Sequence, residues 1–174
     1  KMVNFKEDLL NVKAFIFDID GVLSLQTISL NAFGVPNRTI NLRDGYALQL
    51  AVKKGYYVGI ISGSNSKDYL KRLRVLGVKD IFLNSRIKIG HYNHFREKYK
   101  LADSDIMFMG DDIPDLEVMK AVGVPVCPAD ADSEIKQVAA YISHRKGGEG
   151  CVRDVIEQVL RLHNKWLDHE AYRW

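Results

Sequence analysis

The sequence predicts a single α/β domain, a Rossmann-like three-layer sandwich with a central, mostly parallel sheet, a projecting β-hairpin and no cap domain. Three observations predict it. Short apolar runs recur along the chain, each followed by an amphipathic stretch. Uninterrupted runs of that kind suit parallel strands covered on both faces. Polar residues follow directly after several runs, at the carboxyl ends of strands where open α/β sheets bind ligands. With 174 residues and no internal repeat or low-complexity linker, residues 1–174 have room for one core, and two would be cramped.

Residues 14–17, 57–61, 106–109 and 124–126 form the clearest strands, with 81–83 a shorter one. Residues 25–41 break the alternation, with β-branched side chains around a Gly34-Val35-Pro36-Asn37 turn, and predict the hairpin. A helix follows Arg43-Asp44-Gly45. Tyr69, Leu70, Leu73 and Leu76 share one face of a helix after Ser66, and Ile113, Leu116 and Met119 share a face of another. Val152, Val155, Ile156, Val159 and Leu162 make the strongest stripe, inside a glycine-rich segment and helix at about 146–167. The polar tail beyond Leu162 either extends that helix or is loosely attached.

Composition excludes several classes. Hydrophobic residues are 47% and charged residues 27%, ordinary for a soluble protein, and the net charge is only +3 with no long basic run. That argues against nucleic acid as a partner. No segment approaches the roughly eighteen apolar residues of a membrane span, and KMVNFKEDLLNVK at the N-terminus lacks a small-residue cleavage site. Cys127 and Cys151 have no close-spaced partner and read as free thiols in a reducing compartment. The expected location is the cytoplasm. His91 and His94, three apart on a helix, lack a third ligand and read as surface residues. Trp166 and Trp174 read as packing groups.

The chemistry concentrates at three strand ends. In FIFDIDGV, Asp18 and Asp20 leave a strand together, and Gly21 permits the tight backbone that follows. A carboxylate can attack phosphorus to form an aspartyl-phosphate. A second acid two residues on can protonate the leaving oxygen and later deprotonate water. Two carboxylates and a phosphate repel one another, so the site needs a cation, and hard oxygen ligands favour Mg²⁺. In GDDIPD, Asp111 is the natural metal ligand. Asp112 supports it from behind or holds a nearby lysine. Asp115, one turn further, either joins that support or caps a helix. Ser62 and Gly63, in IISGS, can hold phosphate oxygens, and Lys88 can neutralise phosphate and nucleophile together.

DIDGV, Ser62, Lys88 and GDDIPD, in that order and at strand ends, resemble the four motifs of the haloacid dehalogenase superfamily. The resemblance spans the chain to about Leu162. It implies Asp18 as nucleophile and Asp20 as general acid and base, with Mg²⁺ held by Asp18, the backbone carbonyl of Asp20, and Asp111. Too few residues separate Asp20 from Ser62 for a cap. A capless member acts on macromolecules or borrows a lid from a neighbouring subunit.

Two further segments narrow the resemblance. INLRDGYAL and KGGEGCVRDVIEQVL are similar to segments of the 3-deoxy-D-manno-octulosonate 8-phosphate phosphatases. That resemblance implies a homotetramer assembled by the hairpin, with the glycine-rich segment reaching an adjoining active site. It places Arg153 near the substrate and Arg43 on its other side, where arginine would suit the carboxylate of a phosphorylated sugar acid. The chain departs from the family with Ser24-Leu25-Gln26 for Thr-Asp-Gly, Ser62-Gly63-Ser64 for Thr-Gly-Arg, Asp154 for glutamate and Cys151 for alanine. A nine-carbon keto sugar acid phosphate is the alternative substrate. Rival readings are a non-catalytic oligomerisation domain, a phosphotransferase and a phosphatase of macromolecules. The retained Asp18 and Asp20, the missing cap and the missing basic stripe count against them in turn.

Overall fold

A computed structural model describes residues 4–174, and residues 1–3, the start of the stretch read above for a leader, lie outside the described residues. Helix α1 (Phe5–Leu9) leads into β1 (Ala14–Phe17), followed by α2 (Leu42–Lys53), β2 (Tyr57–Ile61), α3 (Lys67–Val75), β3 (Asp80–Phe82) and α4 (Lys88–Lys98). Then come β4 (Ile106–Met109), α5 (Leu116–Ala121), β5 (Val124–Cys127), α6 (Ser133–Val138), β6 (Tyr141–Ile142) and α7 (Cys151–Leu162). The six strands order as β3-β2-β1-β4-β5-β6, and every pairing is parallel. Chain order reverses beside β1, so β1 and β4 are neighbours, with Phe17 opposite Met109.

Side-chain alternation divides the core into two layers. Phe15, Phe17, Met107 and Met109 face the helices α2, α3 and α7, while Ala14, Ile16, Ile106 and Phe108 face α4, α5 and α6. Each fully buried phenylalanine contributes roughly 1.5–3 kcal/mol of transfer free energy. Strand β3 begins at Asp80, a residue early, because its carboxylate is buried and accepts hydrogen bonds from Lys98 Nζ (2.6 Å) and the Tyr99 hydroxyl. Strand β6 escapes the sequence pattern because two residues carry no periodicity.

The sequence expectation fails in four places. Residues 25–41 project, but a single antiparallel bridge between Leu30 and Pro36 closes them instead of paired strands. A two-stranded ribbon with solvent on both faces is marginal, and Pro36 has no N–H to donate. Arg43-Asp44-Gly45 lies inside the first turn of α2, because Asn41 is the N-cap and accepts from Asp44 N at 3.0 Å. Ile113 is exposed, because Asp112 and Pro114 tighten 113–115 into a 3-10 turn, and α5 buries Val118 and Met119 instead. The tail neither extends α7 nor dangles. Asn164 turns the chain at φ +58°, Trp166 is buried, Lys54 pairs with Asp168 and Glu170, and the Tyr46 hydroxyl donates to Ala171 O.

The N-cap of helix α7 is Gly150, which has no side chain to cap it. Asp44 supplies the cap from α2, accepting from Arg153 N at 2.8 Å, and Asn41 Nδ2 donates to Gly148 O at 3.4 Å. The two segments that carry the narrower resemblance therefore touch. Among the described residues, no helix is long and apolar enough to cross a membrane.

Candidate active site

The site forms where β1 and β4 end side by side. Beyond Asp18 the chain folds back on itself, with the amides of Val22, Leu23 and Ser24 all donating to Ile19 O at 2.9–3.2 Å. Gly21 adopts φ +79°, and a Cβ there would sit 1.9 Å from Asp111 Oδ2, so only glycine lets this loop press on that carboxylate. A second glycine closes the loop from outside. A Cβ on Gly147 would lie 1.9 Å from Gly21 O, and Gly148 N donates to Val22 O at 2.8 Å.

Asp18, Asp111 and Asp115 each offer a carboxylate oxygen, and these oxygens all lie within 4.8 Å of one another. All three side chains are buried. Lys88, the first residue of α4, reaches into them, with Nζ 2.8 Å from Asp18 Oδ2 and 2.7 Å from Asp115 Oδ1. Asp115 Oδ2 accepts from Asp111 N at 3.0 Å. The lysine is therefore held by Asp115 and not by Asp112, which is exposed and accepts from Ile113 N at 2.8 Å. The 3-10 turn causes the exchange, turning position 115 inward and position 112 outward.

Three carboxylates facing one ammonium carry a net double negative charge when fully ionised, which a divalent cation would match. Asp115 is engaged by Lys88 and the Asp111 amide, while Asp18 and Asp111 face each other across the ends of β1 and β4, and their hard oxygens suit Mg²⁺. Without a cation, burial and the charge of Asp115 raise the Asp18 pKa from 3.8 to about 7, against the opposing pull of Lys88. Burial and the charges of Asp18 and Asp115 raise Asp111 to about 8. Burial alone would lower Lys88, but Asp18 and Asp115 outweigh it and keep it an ammonium.

The sign of the linkage follows. A carboxyl with a raised folded-state pKa favours folding most below its unfolded value, and that contribution is lost as pH rises through the folded value. The metal-free protein should lose stability between about pH 4 and about pH 8, and Mg²⁺ should relieve the cost. The rise in melting temperature on adding Mg²⁺ should thus be larger at about pH 8 than at about pH 6. Thermal melts in chelator and in Mg²⁺ check this, and a pH-independent rise would contradict it.

A cleft of about 490 Å³ opens over the acids, lined by Asp18, Asp20, Ser62, Gly63, Lys88, Asp111, Asp112 and Asp115 among others. The structure thus brings eight of the ten expected site residues together. Ser62 is buried, and its Oγ lies 2.9 Å from Ser64 Oγ. Two of the expected residues lie outside the cleft of their own chain. Arg43 is exposed outside the cleft. Arg153 lies over the Trp166 ring at 4.7 Å and pairs with Glu157 at 3.2 Å, because α7 packs on α2 and the tail of its own chain. The glycine-rich segment packs on residues 21–25 of its own chain. His94 is exposed, while His91 is half-buried, with Nδ1 2.6 Å from Ser85 Oγ.

Sequence reasoning missed Arg38, Ser85 and Arg86. Arg38 grips Asp20 with two bonds, Nε to Oδ1 at 2.7 Å and Nη2 to Oδ2 at 3.1 Å. Eighteen residues separate them, and no local pattern marks the pair. Arg86 sits two residues from Lys88, which was the only available signal.

A parallel sheet whose switch point gathers paired aspartates, a lysine and a strand-end serine defines a haloacid dehalogenase-like hydrolase. The family model of that description matches residues 84–155. The 3-deoxy-D-manno-octulosonate 8-phosphate phosphatase of Salmonella typhi is 33% identical over 155 residues, covering 89% of this chain and 82% of the relative. The crystal structure of the phosphatase of that name from Yersinia pestis has a TM-score of 0.88 at 29% identity, covering 92% of this chain and 87% of that one. The Moraxella catarrhalis phosphatase, in complex with magnesium ion, phosphate ion and KDO, also has a TM-score of 0.88, at 28% identity and 94% coverage of each chain. The chain belongs to the 3-deoxy-D-manno-octulosonate 8-phosphate phosphatase family of the haloacid dehalogenase-like hydrolases.

Proposed function

We propose that this chain is a Mg²⁺-dependent phosphatase that hydrolyses 3-deoxy-D-manno-octulosonate 8-phosphate to the free sugar acid and inorganic phosphate. One observation carries the reading: a buried Asp18, held by Lys88 and within reach of Asp111, at the floor of an open cleft. Relatives a third identical to this chain bear the name of that activity. They carry the eight-carbon name, so the nine-carbon alternative is not retained.

In this reading a carboxylate oxygen of Asp18 attacks phosphorus as the bond to the sugar oxygen breaks. Asp20 delivers a proton to that oxygen, then takes one from the water that attacks the aspartyl-phosphate and restores Asp18. Arg38 orients Asp20 through its two bonds. Ser62, Gly63 and Lys88 hold the phosphoryl oxygens, while Asp115 fixes Lys88 and Asp112 fixes the turn behind Asp111. Bound to Asp18, Asp111 and the backbone carbonyl of Asp20, Mg²⁺ would screen the charge between phosphate and nucleophile.

The product feeds lipopolysaccharide precursor synthesis, and the working place is the cytoplasm. The working form is a homotetramer. Leu30, Phe33 and Val35 leave apolar surface on the 25–41 excursion, Phe33 being 90% exposed, which further copies of the chain would cover. Sedimentation at monomer mass would remove that assembly. Phosphate release over a panel of eight- and nine-carbon keto sugar acid phosphates tests the function. The eight-carbon substrate should lead, and absence of Mg²⁺-dependent turnover across the panel would overturn it.

A further inference from the structure

We infer that Arg86 is the specificity-determining residue that binds the substrate's carboxylate, from within the same chain. The inference rests on the substrate class proposed above, a sugar chain with phosphate at one end and carboxylate at the other.

The cleft is strongly acidic, being lined by Asp18, Asp20, Asp111, Asp112 and Asp115. A ligand with two anionic ends needs a cation for each. Lys88 is buried at the floor between two carboxylates and serves the phosphate end. Arg38 is taken up by Asp20. Arg43 and Arg153 lie outside the cleft of their own chain, and Arg153 pairs there with Glu157 and two aromatic rings. Among the described residues, Arg86 is the one cation lining the cleft with no ion pair and no side-chain hydrogen bond inside the protein.

The backbone beneath Arg86 is held in place. Asn84 N donates to Ser64 O and Ser85 N to Ser62 O, both at 2.9 Å, tying this loop to the phosphate-side loop after β2. Asn84 turns the chain at φ +54°, and Ser85 Oγ is anchored to His91 Nδ1. Lys88 follows two residues later and points to the floor, while Arg86 stays exposed at the rim. One short anchored loop therefore presents a floor cation and a rim cation to the same cleft. A guanidinium fits a carboxylate with two parallel bonds, which an ammonium cannot match.

The test compares kcat/KM for 3-deoxy-D-manno-octulosonate 8-phosphate with kcat/KM for a pentose 5-phosphate, which lacks the carboxylate, in wild type, Arg86→Gln and Arg86→Lys. The wild-type preference for the keto acid phosphate should fall by roughly 10- to 100-fold in Arg86→Gln, mainly through KM, the scale of a lost charge-assisted hydrogen-bond pair. Arg86→Lys should recover part of it. If the preference survives in Arg86→Gln, or both substrates lose equally, the assignment is overturned while the phosphatase reading stands. If wild type shows no preference to begin with, the substrate class fails and this inference fails with it.

Discussion

Asp18→Asn is expected to lower phosphate-ester hydrolysis by about 10,000-fold or more, because an amide oxygen cannot form the covalent intermediate. The fold should survive. Lys88 keeps its 2.7 Å bond to Asp115, and the amide oxygen can still accept from Ile19 N, as Asp18 Oδ1 does at 2.7 Å. The exchange also removes a desolvated carboxyl whose pKa stands near 7, so melting temperature at about pH 8 should change little. Phosphate release and thermal melts on the same preparation separate chemistry from folding. Turnover near wild type would exclude Asp18 as the nucleophile.

Lys88→Met should damage both. It strips the ammonium from two buried carboxylates, and breaking a buried pair by removing one partner costs about 3–5 kcal/mol. The loss should be greatest at about pH 8 and smaller at about pH 5, where the stranded acids take up protons. Added Mg²⁺ should restore part of the stability. Activity should fall by roughly 100- to 1,000-fold, the scale seen when one preorganised charge-stabilising donor is removed. A denaturant melt at both pH values decides the point, and a loss under about 1 kcal/mol would show that the lysine does not hold the acids together.

Much of this site was legible before any coordinates. Strands β1, β2 and β4 have the bounds that their apolar runs predict, since a strand buried on both faces must be apolar throughout. Asp18 and Ser62 follow their strands directly and Asp111 follows β4 after Gly110, so their convergence is a consequence of parallel topology. Asp115 was ambiguous, because a carboxylate near a helix start can cap it or serve elsewhere. The inward turn at Pro114, with 1% exposure at Asp115, settles it as the partner of Lys88. The intrachain setting of Arg153, over the Trp166 ring and beside Glu157, was not legible, because a glycine-rich run says nothing about which surface it presses against. Gly147 and Gly148 are glycines because they touch the backbone of residues 21–25.

Periodicity and motif order determined by themselves that this is a parallel α/β hydrolase with an acidic, cation-requiring centre, because both depend on covalent neighbours along one strand or turn. Only the tertiary structure decided which charges cancel: Lys88 with Asp18 and Asp115, Arg38 with Asp20, Asp44 with the start of α7, and Arg86 with none. Ion pairing depends on distances between side chains tens of residues apart, and such distances exist only after the layers have packed.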